Sequence, residues 1–211
     1  MNESLLTEKN STKKTAGNKH LLSPTAEGLQ EYTGTWDTAQ VVHLLKRTLF
    51  GAKQQDIQYF KTRTLQQSVD ELLQPTAAPS TVPLNNYSVS GYTDPSGVAL
   101  WQTWINTGIT IADKELNEKR IDSFKTWWLG QAVQPSRSIH EKLTVFWHNH
   151  FATNTDISTD KIKARFWYDH YLTLRQHALG NFKDLTKAIT LDPAMLFFLN
   201  GLTIKNLRLM K

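Results

Sequence analysis

No cysteine occurs among the 211 residues. Disulfides, thiolate-held zinc and cysteine nucleophiles are therefore excluded. No stretch reaches the roughly 18 apolar residues that a membrane-spanning helix needs. Residues 1–20 hold only Leu5 and Leu6 as a hydrophobic pair, too little for the apolar segment of an export signal; the default expectation is a cytoplasmic chain. Charge of one sign is also scarce. The net +5 is spread along the chain, with Lys9, Lys13, Lys14 and Lys19 in a polar N-terminal stretch and others interleaved with acids, as in Asp113-Lys114-Glu115. The clustering with aromatic or glycine signatures that marks a nucleic-acid surface is missing. Period-two alternation, fixed-length repeats, glycine-rich phosphate loops and the G-x-S-x-G turn are missing too.

What is present is helical patterning with bulky aromatics, seven Trp and nine Phe. The expected fold is all-α, an irregular bundle of about seven to nine helices. Residues 1–35 are polar and predict a disordered tail, and residues 36–201 a single helical domain. Within it, residues 75–95 form a Pro- and Ser-rich loop insertion. Asp37 caps a first helix that Gly51 stops, with Val41, Leu44, Leu45 and Leu49 inward and His43 packed beside them. Thr64 caps a helix with Leu65, Val69, Leu72 and Leu73 inward. Residues 96–106 read as an apolar helix, followed by a long one over 112–133 that Pro135 ends. Ser138 and Glu141 have the spacing of a reciprocal capping box. Residues 162–178 continue the bundle, Asn181 caps the next helix, and Asp192-Pro193 starts the last one.

The densest mixture of acid, aromatic and imidazole groups lies in 138–156, SIHEKLTVFWHNHFATNTD. The candidate catalytic residues are Glu141, His148 and His150, and the candidate metal ligands are His148, His150 and Asp192. Glu141 has the cap as a competing, non-chemical role. On a regular helix His148 and His150 diverge by about 200°, so they do not form a self-contained metal pair, and the zinc-protease spacing H-E-x-x-H is absent. Any ion would draw ligands from elsewhere, such as Asp156, Asp160, Asp169, His170 or Asp192. A contiguous His-Asn-His at a helix end is also unlike the dispersed ββα-metal motif of the nucleases named for those letters. The bland expectation is one imidazole hydrogen-bonded in the core and the other facing solvent.

Three segments carry a resemblance. His43–Ala52, HLLKRTLFGA, resembles the "HLLRRxxFGA" opening of a bacterial family called domain of unknown function 1800. Glu141–Thr153 is similar to its "EKLxxFWHNHFxT". Leu179–Leu185, followed by Asp192–Leu196, is similar to "GNFxxLLxAVxxDPAMLxYLD". Order and distances agree over residues 38–201. The resemblance implies no reaction, since the family has no established activity, and no cofactor. Its members are typically longer and often exported, and a full-length member acting with a protein partner is one expectation. Residues 202–211 depart from the family's acidic continuation. One choice of codons for Leu207–Lys211, read two bases later, gives Ala-Pro-Asp-Glu, so the sequence predicts an N-terminal fragment cut by a frameshift or split gene. Three functions follow: a helical domain whose central motif is a conformational polar knot, a metal-assisted hydrolase built around the WHNH motif, or a cell-surface assembly or scaffold protein.

Overall fold

Local capping chemistry places most helix starts. A computed structural model of the chain describes residues 31–108, 113–133, 136–153 and 163–201. Helix α1 spans Thr38–Thr48, and the Asp37 carboxylate accepts the Ala39 N–H at its start. Helix α2 covers Gln54–Lys61. Helix α3 covers Leu65–Leu72 and opens on a complete capping box, Thr64 with Gln67. Each such cap satisfies N–H groups that the first turn leaves unpaired. Helices α4 (Lys114–Val133), α5 (His140–His150), α6 (Ala164–His177), α7 (Phe182–Thr190) and α8 (Pro193–Phe198) follow. Asn181 caps α7 through the Lys183 N–H, and Asp192 caps α8 through the Met195 N–H with Pro193 in the first turn. The all-α expectation holds. Among the described residues the sheet-like element is one isolated antiparallel bridge, Leu84 with Thr103.

Residues from Thr35 onward form one compact unit; of the N-terminal unit, residues 31–34 are described, and they are irregular. The expected tail over residues 1–30, Pro135, most of the 153–160 turn and residues 202–211 lie outside the described residues.

Three apolar clusters make the core. Val41, Leu45, Leu49, Phe60 and Leu72 join α1, α2 and α3. Trp104, Ile121, Phe124, Trp167 and Tyr171 join α4, α6 and the preceding loop. Leu174, Leu185 and Ile189 join α6 and α7. Helix α6 is the hub: it packs on α4, α5, α7 and α8. Its buried residues include Trp167, Tyr168, His170, Tyr171, Leu174 and Arg175. A helix with this much of its girth inside must pair the polar groups it carries inward.

Five local expectations fail. Leu49 closes α1 in an extended conformation, ahead of Gly51. His43 and Leu73 face solvent. The apolar run 96–106 is not helical. Gly97 (φ 79°) and Trp101 (φ 63°) take left-handed conformations, and the backbone instead pairs with Asn85, which donates to Gln102 O and accepts from Trp101 N–H. Ser138 and Glu141 do not form a capping box; their partners are long-range and are described below.

The long loop is pinned to α4 by buried side chains. Arg120 donates to Asp94 (3.1 Å), Ser96 (2.6 Å) and the Tyr87 hydroxyl (3.3 Å), and Tyr87 donates to Asp94 (2.7 Å). Burial alone would raise the Asp94 pKa, but hydrogen bonds from Ser96, Tyr87 and Arg120 outweigh it and hold the carboxyl below its ordinary value. Ser123 accepts from the Trp104 indole and donates to Leu84 O.

Candidate functional site

Helix α5 divides into two halves with different chemistry. The N-terminal half is a satisfied polar network that clasps α1–α3 to α6. The Ser138 hydroxyl donates to Gln74 O (2.6 Å) and accepts the His140 N–H, and Ile139 N–H donates to Leu72 O. Lys142 donates to Lys46 O and Leu49 O, the free carbonyls at the end of α1. Burial lowers the Lys142 pKa, and the Arg47 charge adds to it.

Glu141 is buried against α6. It accepts from Arg175 Nε at 2.5 Å and from the Tyr171 hydroxyl at 3.1 Å. Burial, with the Glu141 charge beside it, pushes the Tyr171 phenol far above its ordinary range, so it stays a donor. Arg175 continues through Nη2 to Thr76 Oγ1 (2.6 Å) and Ala77 O (2.8 Å). His140 closes the ring: Nδ1 accepts from Thr76, and Nε2–H donates to Arg175 O at 2.7 Å. Every charge here has a partner, and both Glu141 oxygens are engaged by α6. The sequence expectation of a cap is replaced by a buried ion pair, which fixes how α5 lies on α6.

The C-terminal half is the reverse. His148 is on the inward face, in a box of aromatic rings: Trp128 (centroids 4.9 Å apart), Trp167 (5.7 Å) and His170 (5.9 Å). His170 is fully buried, and its Nδ1 lies 3.0 Å from Asp192 Oδ1. That carboxylate thus serves twice, as the α8 cap and as the group that orients the imidazole. Nδ1 of His170 faces the Asp192 carboxylate, which leaves Nε2 turned away from it. Among the described residues, His148 Nε2, His170 Nε2, Trp167 Nε1 and Asp192 Oδ2 are buried without a hydrogen-bond partner. Buried polar atoms are nearly always paired, so this cluster of four makes the imidazole pair the strongest candidate for a site. The arrangement of carboxylate, imidazole and bare nitrogen is that of an oriented base.

Burial pushes the His148 pKa down from 6.5 to about 4, with the His170 charge adding to the effect. The unfolded chain takes up this proton below about pH 6.5, the folded chain only below about pH 4. Between these values the unfolded state binds more protons, so stability falls as pH falls through that window. The expected loss is on the order of 2–3 kcal/mol after allowing for the ring's partial exposure. Urea unfolding at pH 4.5 and 7 should show it, and His148→Phe, which keeps a ring and removes the proton site, should remove most of this difference.

The two imidazoles of the WHNH segment part as the helix predicts. His150 is exposed and stacks edge-on to Trp147 and Phe151. It joins neither Glu141 nor His148. Asp192 does join His148, through His170, a pairing the sequence left among several. Among the described residues, no group of three or more His, Asp or Glu is placed to hold a metal ion. Outside this pair, Phe50, Trp128, Leu129, Ala132 and Val145 line an open groove of about 390 Å³, with His148 in its wall and Lys125 at its edge. The groove was not foreseen, because Phe50 and Trp128 are far from the motif in sequence.

The geometry brings together His148 and Asp192, residues of two of the three resembling segments, through His170. Residues 43–205 match the model described as "Protein of unknown function (DUF1800)", and the chain belongs to this family. No curated protein and no solved structure matches the chain.

Proposed function

We propose that this member of the family is a helical ligand-binding domain whose site is the groove walled by His148, with the His170–Asp192 pair behind it. One observation carries the reading: the imidazole with the depressed pKa lines an apolar groove of ligand size. Small-molecule sites are typically about 300–1,000 Å³, mostly apolar, with few polar groups that fix orientation. The uncharged His148 ring supplies a hydrogen-bonding group without the cost of desolvating a cation. His170, held by Asp192, keeps a second nitrogen in reserve behind it. Glu141 has no part in binding; it holds α5 in place.

A fragment titration followed by ¹H–¹⁵N NMR tests this. Saturable shifts are expected at the Trp128 indole and at the Leu129 and Val145 amides. Ala132→Phe, which fills the groove, should abolish them in a folded protein. Saturable binding elsewhere, with these signals still, would contradict the reading.

A further inference from the structure

The groove also carries information about what enters it. Its walls are apolar side chains that stay exposed, Phe50 and Leu129 among them. Past Phe50, Leu129 and Ala132 it continues toward Val133 and Lys53 as a second depression of about 280 Å³. The two depressions share Phe50, Leu129 and Ala132, so an extended chain could run from one into the other.

Its edge is cationic. Lys125 stands at one side. Among the described residues its ion pair is with Asp122, at 3.6 Å, and both side chains are substantially exposed. Such a pair contributes little and is easily exchanged for a better anion. Lys142, one turn before Val145, holds its ammonium on the carbonyls of Lys46 and Leu49, next to Phe50. The acid that lines the far depression, Asp56, is already paired with Arg137 at 2.9 Å. An apolar trough lined by one exposed lysine, held by a loose surface pair, is complementary to a molecule with an apolar chain and one anionic head.

We propose that the groove binds a medium-chain amphiphilic carboxylate, its head at Lys125 and its chain along Trp128, Leu129, Ala132 and Val145. This rests on the groove being the binding site. The head meets Lys125 from solvent, while the chain removes the exposed faces of Leu129 and Phe50 from water. The neutral His148 ring forms the inner wall, where a charged imidazole would be poorly tolerated beside a hydrocarbon chain.

The test compares decanoate, decanol and decyltrimethylammonium below their micelle concentrations, by displacement of a fluorescent undecanoate probe from the whole chain. Decanoate should bind best, and octanoate roughly tenfold more weakly. Lys125→Glu should weaken decanoate about tenfold and leave decanol unchanged. Leu129→Glu, at an exposed position where folding is tolerated, should weaken both. Equal binding of all three amphiphiles, indifferent to Lys125→Glu but lost in Leu129→Glu, overturns the anionic ligand class while keeping the site. No binding of any of the three, with the fragment shifts at Trp128 and Val145 still seen, overturns this ligand class and leaves the groove, whereas binding that ignores Leu129→Glu overturns the groove as its site.

Discussion

Glu141→Ala is expected to cost about 3–5 kcal/mol, because it leaves the Arg175 guanidinium buried without its anion. Glu141 and Arg175 are both under a tenth exposed and lie 2.5 Å apart. The same substitution strips the Tyr171 hydroxyl of its acceptor. Domains of this size are stable by only about 5–15 kcal/mol, so the variant should melt roughly 10 °C or more below the parent. Because the pair is out of solvent, added salt should not rescue it. The double change Glu141→Met with Arg175→Met should recover most of the loss, since two apolar side chains leave no unpaired charge. Thermal unfolding of the three proteins checks this; a single variant that melts with the parent would mean that Glu141 is free for chemistry.

Arg120→Met should have a comparable cost, about 3–5 kcal/mol, but a different location. It removes the cation from Asp94 and the donor from Ser96 and Tyr87. Those three residues hold the long loop to α4, and nothing else neutralises the buried Asp94 carboxylate among the interactions described here. The loop should therefore loosen first. Limited proteolysis should cut within residues 86–101 at protease levels that leave the parent intact. Cleavage spread evenly over the helices would instead indicate global unfolding without a loop-specific role.

The two sites differ in how visible they are from sequence, and the difference is one of range. Asp37, Thr64, Asn181 and Asp192-Pro193 act within three residues of themselves, and each caps the helix it was expected to cap. Ser138 and Glu141 fit the same local pattern, yet their partners are Gln74 and Arg175, 64 and 34 residues away. A capping box is the fallback when nothing better is near, and here a buried guanidinium is. The run 96–106 is apolar because the loop packs on α4, with Trp104 and Ile105 in the core; apolarity without helical periodicity does not specify a helix. That His148 and His150 point apart followed from the 3.6-residue repeat, but which of them turns inward did not. The pairing of His170 with Asp192 did not, because it needs α6 to meet the start of α8. Arg175 sits one turn past Tyr171 on the buried stripe of α6, and a cation in that position demands an acid opposite.

The N-terminal half of the WHNH helix holds the fold, and its C-terminal half walls the groove proposed to take a ligand. The most direct measurement is the unfolding free energy of His148→Phe at pH 7, beside that of Glu141→Ala. Phe keeps the ring against Trp128 and Trp167 and deletes a buried nitrogen that has no partner. Such a change is nearly neutral, so His148→Phe should stay within about 1 kcal/mol of the parent while Glu141→Ala falls by several. A His148→Phe protein destabilised as severely as Glu141→Ala would show that the imidazole is part of the structural knot, and would contradict the division.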